Sequence, residues 1–241
     1  MGVNKDGNGY TFGFSIALVV VVGVILSTIS IGLEPYKKAN VAVKKKMDIL
    51  SAIGIESTRK NGEELYTQYV DDSYVISADG KIQEDLPKEK TAFYLDVQKQ
   101  FRDKQTEKED RLYPIFEATK DGEKIFVLPV VGKGLWGPIW GYLAIADDLK
   151  TIKGASFDHK GETPGLGAEI KQDFFENQFR GEQIAEDGSF EPIMVVKDNS
   201  GSEEQKVDGI TGGTITSKGV EEMVNRTMKV YRKYFSKIAE K

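Results

Sequence analysis

The chain contains no cysteine and only one histidine, His159. Without a thiol it can form no disulfide, iron–sulfur cluster or thiolate zinc site, and it cannot attach a c-type haem. One histidine and no cysteine also leave no usual catalytic triad for nucleophilic hydrolysis. We therefore predict no metal site and no catalytic residue, and we expect His159 to be structural or solvent-facing. The chain is better suited to carry a cofactor than to perform acid–base chemistry itself.

An excess of positive charge is missing as well. Lysine and arginine number 33 against 38 aspartates and glutamates, which gives a net charge of -5. No zinc-finger or aromatic RNA-binding signature occurs, so we predict no binding to nucleic acid. The spacing of a Walker loop, with glycine, four residues, glycine, lysine and a hydroxyl residue, is also absent. Nucleotide hydrolysis is thereby disfavoured.

Charged side chains are absent from residues 11–33, which are rich in Ile, Val and Leu. A helix of this length, at 1.5 Å per residue, crosses a hydrocarbon core of about 30 Å. A cleaved signal peptide is the alternative, although its apolar stretch would be about half as long. We expect a short tail at 1–10 and a single transmembrane helix at 11–33. It holds no acidic residue, so we predict no ion path through it.

Lysines lie mainly on one side of this apolar segment. Only Lys5 and the amino terminus precede it, whereas five lysines follow it: Lys37, Lys38, Lys44, Lys45 and Lys46. Under the positive-inside rule alone, this distribution places the large domain in the cytoplasm.

Two further segments precede the main domain. Within residues 34–59, apolar residues recur at helical spacing at Val43, Met47, Leu50 and Ile53. This pattern predicts a juxtamembrane amphipathic helix lying on or near the lipid headgroups. Residues 60–111 are rich in charged residues and glutamine and contain only short apolar runs. We predict a peripheral insertion there.

Residues 112–241 carry the clearest strand patterns. Apolar runs at 125–131 and 140–146 are joined by a glycine-rich connection, which favours antiparallel neighbours. Further strands are expected at 152–158 and 193–196, and a helix at 166–179. Strands followed by mixed strands and helices favour an α+β domain with a largely antiparallel sheet over a doubly wound fold.

Residues 208–217, the glycine–hydroxyl segment, have the sequence DGITGGTITS, with three glycines and four hydroxyl side chains. Glycines allow backbone amides to face an anion, and hydroxyls donate to its oxygens. A helix with apolar spacing follows from Val220, with Ser217 as a reasonable N-cap, and would add its positive end. The segment therefore predicts a phosphate site.

Residues 162–167, the ETPGLG loop, follow a predicted strand and precede a predicted helix. Pro164 fixes its φ angle, Gly165 can adopt a positive φ, and Gly167 permits close backbone approach. The loop would then be rigid and present amides and the Thr163 hydroxyl to a ligand. An ordinary strand-to-helix turn is the alternative interpretation.

These motifs resemble a known family. The run DGITGGT resembles the D-G-x-[ST]-G-A-[ST] motif of flavin-carrying subunits in the sodium-translocating NADH:quinone oxidoreductase and the related Rnf complex, which share the ETPGLG loop. Residues 134–136 (GLW) followed by 141–144 (GYLA) are more similar to the C subunit of the sodium pump than to the G subunit of the Rnf complex. Segments 34–59 and 60–111 favour the sodium pump too. The resemblance covers nearly the whole chain.

The resemblance implies that a separate flavin transferase attaches FMN by a phosphodiester to the last threonine of the motif, Thr214. Thr216 is a rival nucleophile that the motif alignment disfavours. Gly213 stands where the family usually has alanine, which loosens the segment without removing an amide, so we expect attachment to survive. The remaining residues implied to hold the cofactor are Thr211, Gly212, Gly213 and Thr216 at the phosphate, and Glu162, Thr163, Gly165, Leu166, Gly167 and Trp136 around the ribityl or isoalloxazine.

The resemblance also implies a function. The chain would relay electrons between neighbouring subunits of a complex that oxidises NADH, reduces quinone and exports sodium. It would cross the bacterial inner membrane once, with its flavin domain on the periplasmic side, against the lysine distribution. Neighbouring subunits and translocation of large domains can outweigh flanking charge. The alternatives are the G subunit of an Rnf-type complex, or a membrane-anchored binding or assembly module for a phosphate-bearing ligand.

Overall fold

The computed structural model describes residues 7–186, 189–197 and 200–239. Two compact units divide the chain, Met1–Lys45 and Lys46–Lys241. Three short 3₁₀ turns occur, at Lys88–Lys90, Gly167–Lys171 and Asn177–Phe179. The helices and strands are, in chain order, α1 (Asn8–Ala52), α2 (Gly62–Tyr69), β1 (Val70–Ser77), α3 (Val97–Arg102), β2 (Leu112–Lys120), β3 (Glu123–Lys133), β4 (Pro138–Ala146), β5 (Ile152–His159), α4 (Asp173–Glu176), β6 (Ala185–Glu186), β7 (Ser189–Phe190), β8 (Met194–Val196), β9 (Lys206–Asp208) and α5 (Thr214–Ala239).

Helix α1 is a single helix of 45 residues with Pro35 inside it. It is the helix among the described residues that is long and apolar enough to cross a membrane, and its most apolar window is fully unburied. The separate juxtamembrane helix expected at 34–59 is therefore wrong, because the same helix continues through Pro35 to Ala52. Proline removes one backbone hydrogen bond, and helix-forming residues on both sides of it carry the helix onward.

The last residues of α1 belong to the second unit and are buried there. Ile49 and Leu50 have no exposed surface and pack with Ile53 against β-sheet residues such as Phe116 and Val127. The apolar positions expected to lie on lipid headgroups are thus covered by protein from residue 49 onward. Burying such aliphatic side chains stabilises the fold by about 1.5–3 kcal/mol each.

Strands β1 to β5 form an antiparallel sheet in sequential order. Residues 125–131 and 140–146 are paired neighbours within β3 and β4, as expected, with Leu128 opposite Leu143. The expected peripheral character of 60–111 needs correction, because this segment supplies β1, which pairs with β2 along the sheet edge. Val75 and Ile76 are buried in that strand. A short apolar run inside a polar segment is sufficient for an edge strand, so the compact unit begins well before residue 112.

Helix α5 covers one face of this sheet. It packs chiefly on β3, and its apolar positions join the larger core: Val220, Met223, Val224, Met228, Tyr231 and Phe235. The Tyr231 hydroxyl donates a hydrogen bond to the Pro114 carbonyl at 2.6 Å, which satisfies its one buried polar atom. The helical spacing expected beyond Val220 is confirmed.

The helix expected at 166–179 is broken into pieces, namely two 3₁₀ turns with the four-residue α4 between them. Gln172 adopts an extended conformation that interrupts the helix. Three aromatic rings pack together here, with Phe157 and Phe179 centroids 5.1 Å apart and Phe175 and Phe179 centroids 5.6 Å apart. This tertiary cluster with strand β5 overrides the local helical spacing.

Beyond the main sheet, β6 and β7 form a short hairpin. Strand β8 lies within the range expected for a strand at 193–196, and it pairs parallel with β9. Strand β9 ends at Asp208, so this pair delivers the chain directly into the glycine–hydroxyl segment.

Candidate functional site

The glycine–hydroxyl segment connects β9 to α5 in a tight turn. The Gly209 amide donates to the Val196 carbonyl at 2.8 Å, and the Gly213 amide donates to the Ile210 carbonyl at 2.9 Å. Gly212 has a φ of +75°, a conformation that side chains other than glycine rarely adopt. The turn therefore exposes consecutive backbone groups just before the helix.

Helix α5 begins at Thr214, earlier than the sequence predicts, so Ser217 lies inside its first turn and is not the N-cap. The Ser217 hydroxyl donates to the Gly213 carbonyl at 3.0 Å and accepts from the Ile210 amide at 3.0 Å. These bonds hold the turn against the helix. Serine hydroxyls compete for nearby backbone groups in this way, and apolar spacing alone does not detect such a start.

The first turn of α5 presents free amides to the solvent side. The first α5 residue to donate back to the turn is Ser217, whose amide bonds to Gly213 at 2.9 Å. The amides of Thr214, Ile215 and Thr216 precede it and lack an acceptor four residues earlier within the helix. Together with the positive end of the helix dipole, they form a typical binding site for an anion such as phosphate.

The four hydroxyls of the segment fall into two classes. Thr216 is 1% exposed and donates to Glu162 Oε2 at 2.6 Å, and Ser217 is tied to Gly213. Thr211 is exposed and Thr214 is partly exposed. Across the part of the chain that the structure describes, no side-chain hydrogen bond occupies the hydroxyls of these last two. Within the segment, they are the hydroxyls available to a ligand.

Glu162 connects three separate parts of the site. Its carboxylate is 4% exposed, and Oε1 accepts from the Trp136 amide at 2.8 Å and the Gly137 amide at 3.3 Å. Oε2 accepts from Thr216 on α5. The Glu162 amide itself donates to His159 Nδ1 at 3.1 Å, which gives that histidine a structural contact. Glu162 was expected to contact the cofactor, but both of its oxygens are already engaged within the protein.

Two glycines make room for this carboxylate. A Cβ on Gly134 would lie 2.6 Å from Glu162 Oε1. A Cβ on Gly167 would lie 2.5 Å from Thr216 Oγ1 and 2.6 Å from Glu162 Oε2. Real Cβ atoms essentially never approach other heavy atoms so closely, so both positions require glycine.

The ETPGLG loop lies against the glycine–hydroxyl segment. Gly165 has a φ of +75°, and its amide donates to Glu169 Oε1 at 2.7 Å. The Leu166 side chain reaches the turn so closely that a Cβ on Gly212 would meet its Cδ2 at 2.6 Å. The structure therefore brings the two sequence motifs together, which a plain strand-to-helix turn would not require.

Exposed apolar side chains belong to the three segments that Glu162 joins. We call this set the apolar rim; it consists of Leu135 (49% exposed), Trp136 (70%), Leu166 (40%) and Ile215 (59%). Trp136 and Leu166 were predicted as site residues, whereas Leu135 and Ile215 were not. The available signal for Ile215 is its position in the first turn of α5, off the apolar stripe that begins at Val220.

A class of protein matches this arrangement. The family model described as FMN-binding domain matches residues 134–229, a range that contains all three segments joined by Glu162. The fold and site thus define an FMN-binding domain that follows a long apolar amino-terminal helix.

The relatives are more specific. The C subunit of the Na⁺-translocating NADH-quinone reductase of Vibrio parahaemolyticus is 31% identical over 236 residues, which is 92% of this chain and 90% of that protein. The corresponding protein of Vibrio vulnificus is 33% identical over 234 residues, covering 90% and 89%. The chain belongs to the family formed by the C subunits of Na⁺-translocating NADH-quinone reductases, and the resemblance seen in the sequence is confirmed.

Solved structures of this family share the fold. The crystal structure of the C subunit from Parabacteroides distasonis has a TM-score of 0.73 and 37% identity, over 84% of this chain and 96% of that one. The Shewanella oneidensis NqrC structure has a TM-score of 0.68 and 25% identity, over 86% and 100%. The expected α+β domain with a largely antiparallel sheet is confirmed.

Proposed function

We propose that this chain is the FMN-carrying subunit of a Na⁺-translocating NADH:quinone oxidoreductase, anchored in the bacterial inner membrane by α1. The family match and the FMN-binding-domain model support this assignment. FMN supplies the electron-carrying ring, and the chain supplies its attachment, orientation and surroundings. In this role the protein relays electrons between neighbouring subunits, while the whole complex oxidises NADH, reduces quinone and exports sodium.

The residues present fit a flavin that bears a phosphate. Free amides at the start of α5 and the glycines at 212 and 213 suit the phosphate, and the apolar rim suits a flat ring. A Cβ on Gly213 would lie 3.0 Å from Ile210 Cγ2 and 3.2 Å from the Gly167 amide nitrogen. The glycine found there in place of the family's usual alanine thus suits a tightly packed turn.

The observation that carries the proposal is the contrast between Thr214 and Thr216. Thr214 is partly exposed at the first position of α5, whereas Thr216 is buried and donates to Glu162. A hydroxyl accessible beside free amides is suited to a phosphodiester, since those amides would stabilise the phosphoryl oxygens. This favours Thr214 over Thr216 as the attachment residue.

Attachment requires an activated flavin donor. The Thr214 oxygen would bond to the phosphorus of the flavin mononucleotide unit, and the bond from that phosphorus to a leaving nucleotide would break. The hydroxyl proton would leave with the departing group, so FAD is a suitable donor and AMP the product. We infer that a separate flavin transferase catalyses this step.

Further residues would position the cofactor. Thr211, Gly212 and Gly213 would hold the phosphate, and Trp136 and residues of the ETPGLG loop would contact the ribityl or the ring. Among these, Thr163, Gly165, Leu166 and Gly167 belong to the loop. We place the domain on the periplasmic side, where it would meet the other membrane subunits of the complex.

The test is covalent flavin on denatured protein. The full-length chain, produced together with the transferase, should fluoresce on a denaturing gel under ultraviolet light, and its intact mass should rise by one FMN unit. Thr214→Ala should lose both signals, whereas Thr211→Ala, which removes the other accessible hydroxyl, should keep them.

Two results would count against the proposal. Fluorescence retained in Thr214→Ala would move the attachment to another residue. An unmodified wild-type mass in cells that contain the transferase would favour a binding or assembly module for a free phosphate ligand.

A further inference from the structure

Glu162 is a buried carboxylate that bonds to groups from distant parts of the chain. It lies 26 residues from Trp136 and 54 residues from Thr216 in sequence, yet it accepts hydrogen bonds from both. Its exposed fraction is 4%, and that of Thr216 is 1%. Burying a carboxylate is costly unless it is well hydrogen-bonded, so a carboxylate retained here requires a compensating role.

The bonds of Glu162 determine where the first turn of α5 lies. Thr216 is the third residue of that helix, and Oε2 of Glu162 holds its hydroxyl at 2.6 Å. The other oxygen holds the amides of Trp136 and Gly137. Breaking the contact with Thr216 would release the helix start from the two loops beside it.

The charge of Glu162 also suits its position. A negative group beside the amino-terminal end of a long helix interacts favourably with the helix dipole. Because Glu162 is below the surface and Thr214 is partly exposed, the two lie at different depths of the same helix end. The carboxylate can therefore act on the first turn without occupying the accessible amides.

We propose that Glu162 is a positioning residue for flavin attachment, which rests on the function proposed above. By fixing Thr216, it holds the first turn of α5 so that the Thr214 hydroxyl and the free amides together meet the incoming phosphoryl group. Glu162 acts through Thr216 and the turn, and it does not contact the flavin.

The experiment measures how fast flavin is incorporated. Full-length chain made without the transferase is purified, mixed with transferase and FAD, and followed by in-gel fluorescence. Glu162→Ala and Thr216→Val should each slow incorporation about tenfold or more, because displaced reacting groups are costly to rate. The effect should fall mainly on the maximal rate and less on the concentration of chain that gives half of it.

Conservative variants separate positioning from folding. Thr216→Ser keeps the donor hydroxyl and should incorporate flavin at nearly the wild-type rate. Glu162→Gln keeps one oxygen for the two amides and can donate to Thr216, so its rate should lie between those of wild type and Glu162→Ala. If Glu162→Ala does not fold, the Thr216 pair carries the test.

A matched control comes from elsewhere on α5. Glu221 Oε2 accepts from the Val195 amide, outside the attachment turn. Glu221→Gln should leave the incorporation rate unchanged. If it slowed incorporation as much as Glu162→Ala, a general loss of stability would replace the positioning role.

The double variant Glu162→Ala/Thr216→Val completes the experiment. If the two residues act as a unit, it should be no slower than the slower single variant. Wild-type rates in both single variants, or fully multiplicative losses in the double variant, would overturn the proposal. Failure of the wild-type chain to take up flavin would instead refute the proposed function.

Discussion

The two faces of the five-stranded sheet are covered in different ways. One face packs against α5, whose first turn carries the glycine–hydroxyl segment. The other packs against the end of α1, with α2 and the 3₁₀ region near residue 90 around it. The first face ends in close backbone contacts, helix amides and a buried carboxylate. The second consists mainly of aliphatic and aromatic packing.

Stability and chemistry are therefore carried by separate surfaces of one sheet. The α1 face can lose contacts without changing the geometry of the site. The α5 face has less tolerance, because three loops meet there within hydrogen-bonding distance of Glu162. Substitutions on the two faces should have different consequences.

A cavity on the α1 face should have the strongest effect on stability. Leu50 has no exposed surface, so Leu50→Ala should lower the free energy of unfolding by about 2–5 kcal/mol. Urea unfolding of the full-length chain in detergent would measure this. Leu135→Ala, at an exposed position, should change stability by less than about 0.5 kcal/mol.

Flavin incorporation below the unfolding transition should not change in Leu50→Ala. If incorporation slowed in proportion to the lost stability, the two faces would not be independent, and the comparison would fail.

Overpacking of the α5 face should cost less stability and more function. Gly167→Ala would place a methyl group against Thr216 and Glu162, which we expect to destabilise the domain by about 1–3 kcal/mol. It should also slow flavin incorporation. Gly161→Ala is the control, because a Cβ there meets nothing within 4 Å. Equal incorporation rates in the two variants would show that the Gly167 contact has no bearing on the site.

The smallest effect concerns pH and a tyrosine on the α1 face. Burial, with a smaller contribution from the Glu63 charge, raises the pKa of Tyr66 from 10.0 to about 12. Between these values the unfolded chain loses the Tyr66 proton first, so stability present below pH 10 declines as the pH rises towards 12. Absorbance titration of wild type minus Tyr66→Phe should show a phenol with its midpoint near 12.

Glu63→Gln should lower that midpoint only slightly, since burial is the larger cause of the raised pKa. A midpoint at the ordinary value of 10.0 in the wild-type chain would show that Tyr66 is solvated and that the α1 face is looser than its packing indicates.

Patterns with a strong local cause were sufficient for part of the fold. The uncharged run at 11–33 predicts a long apolar helix, and the runs at 125–131 and 140–146 predict paired strands, because side-chain periodicity and turn chemistry act over a few residues. The same holds for the glycines at 165 and 212, whose positive φ angles belong to local turns.

Other features depended on contacts between distant segments. The broken helix at 166–179 arises from packing of Phe175 and Phe179 on Phe157. The edge strand from the polar 60–111 region forms because β2 offers it a partner. Neither contact leaves a mark in the periodicity of the segment concerned.

Residue types and their spacing were thus enough to predict an apolar amino-terminal helix, an antiparallel α+β domain and two glycine-rich motifs. That Glu162 faces inward to Thr216, and that α5 begins at Thr214, became visible only in the folded chain. The physical reason is that hydrogen bonding of a buried carboxylate depends on which distant groups the fold brings within about 3 Å of it.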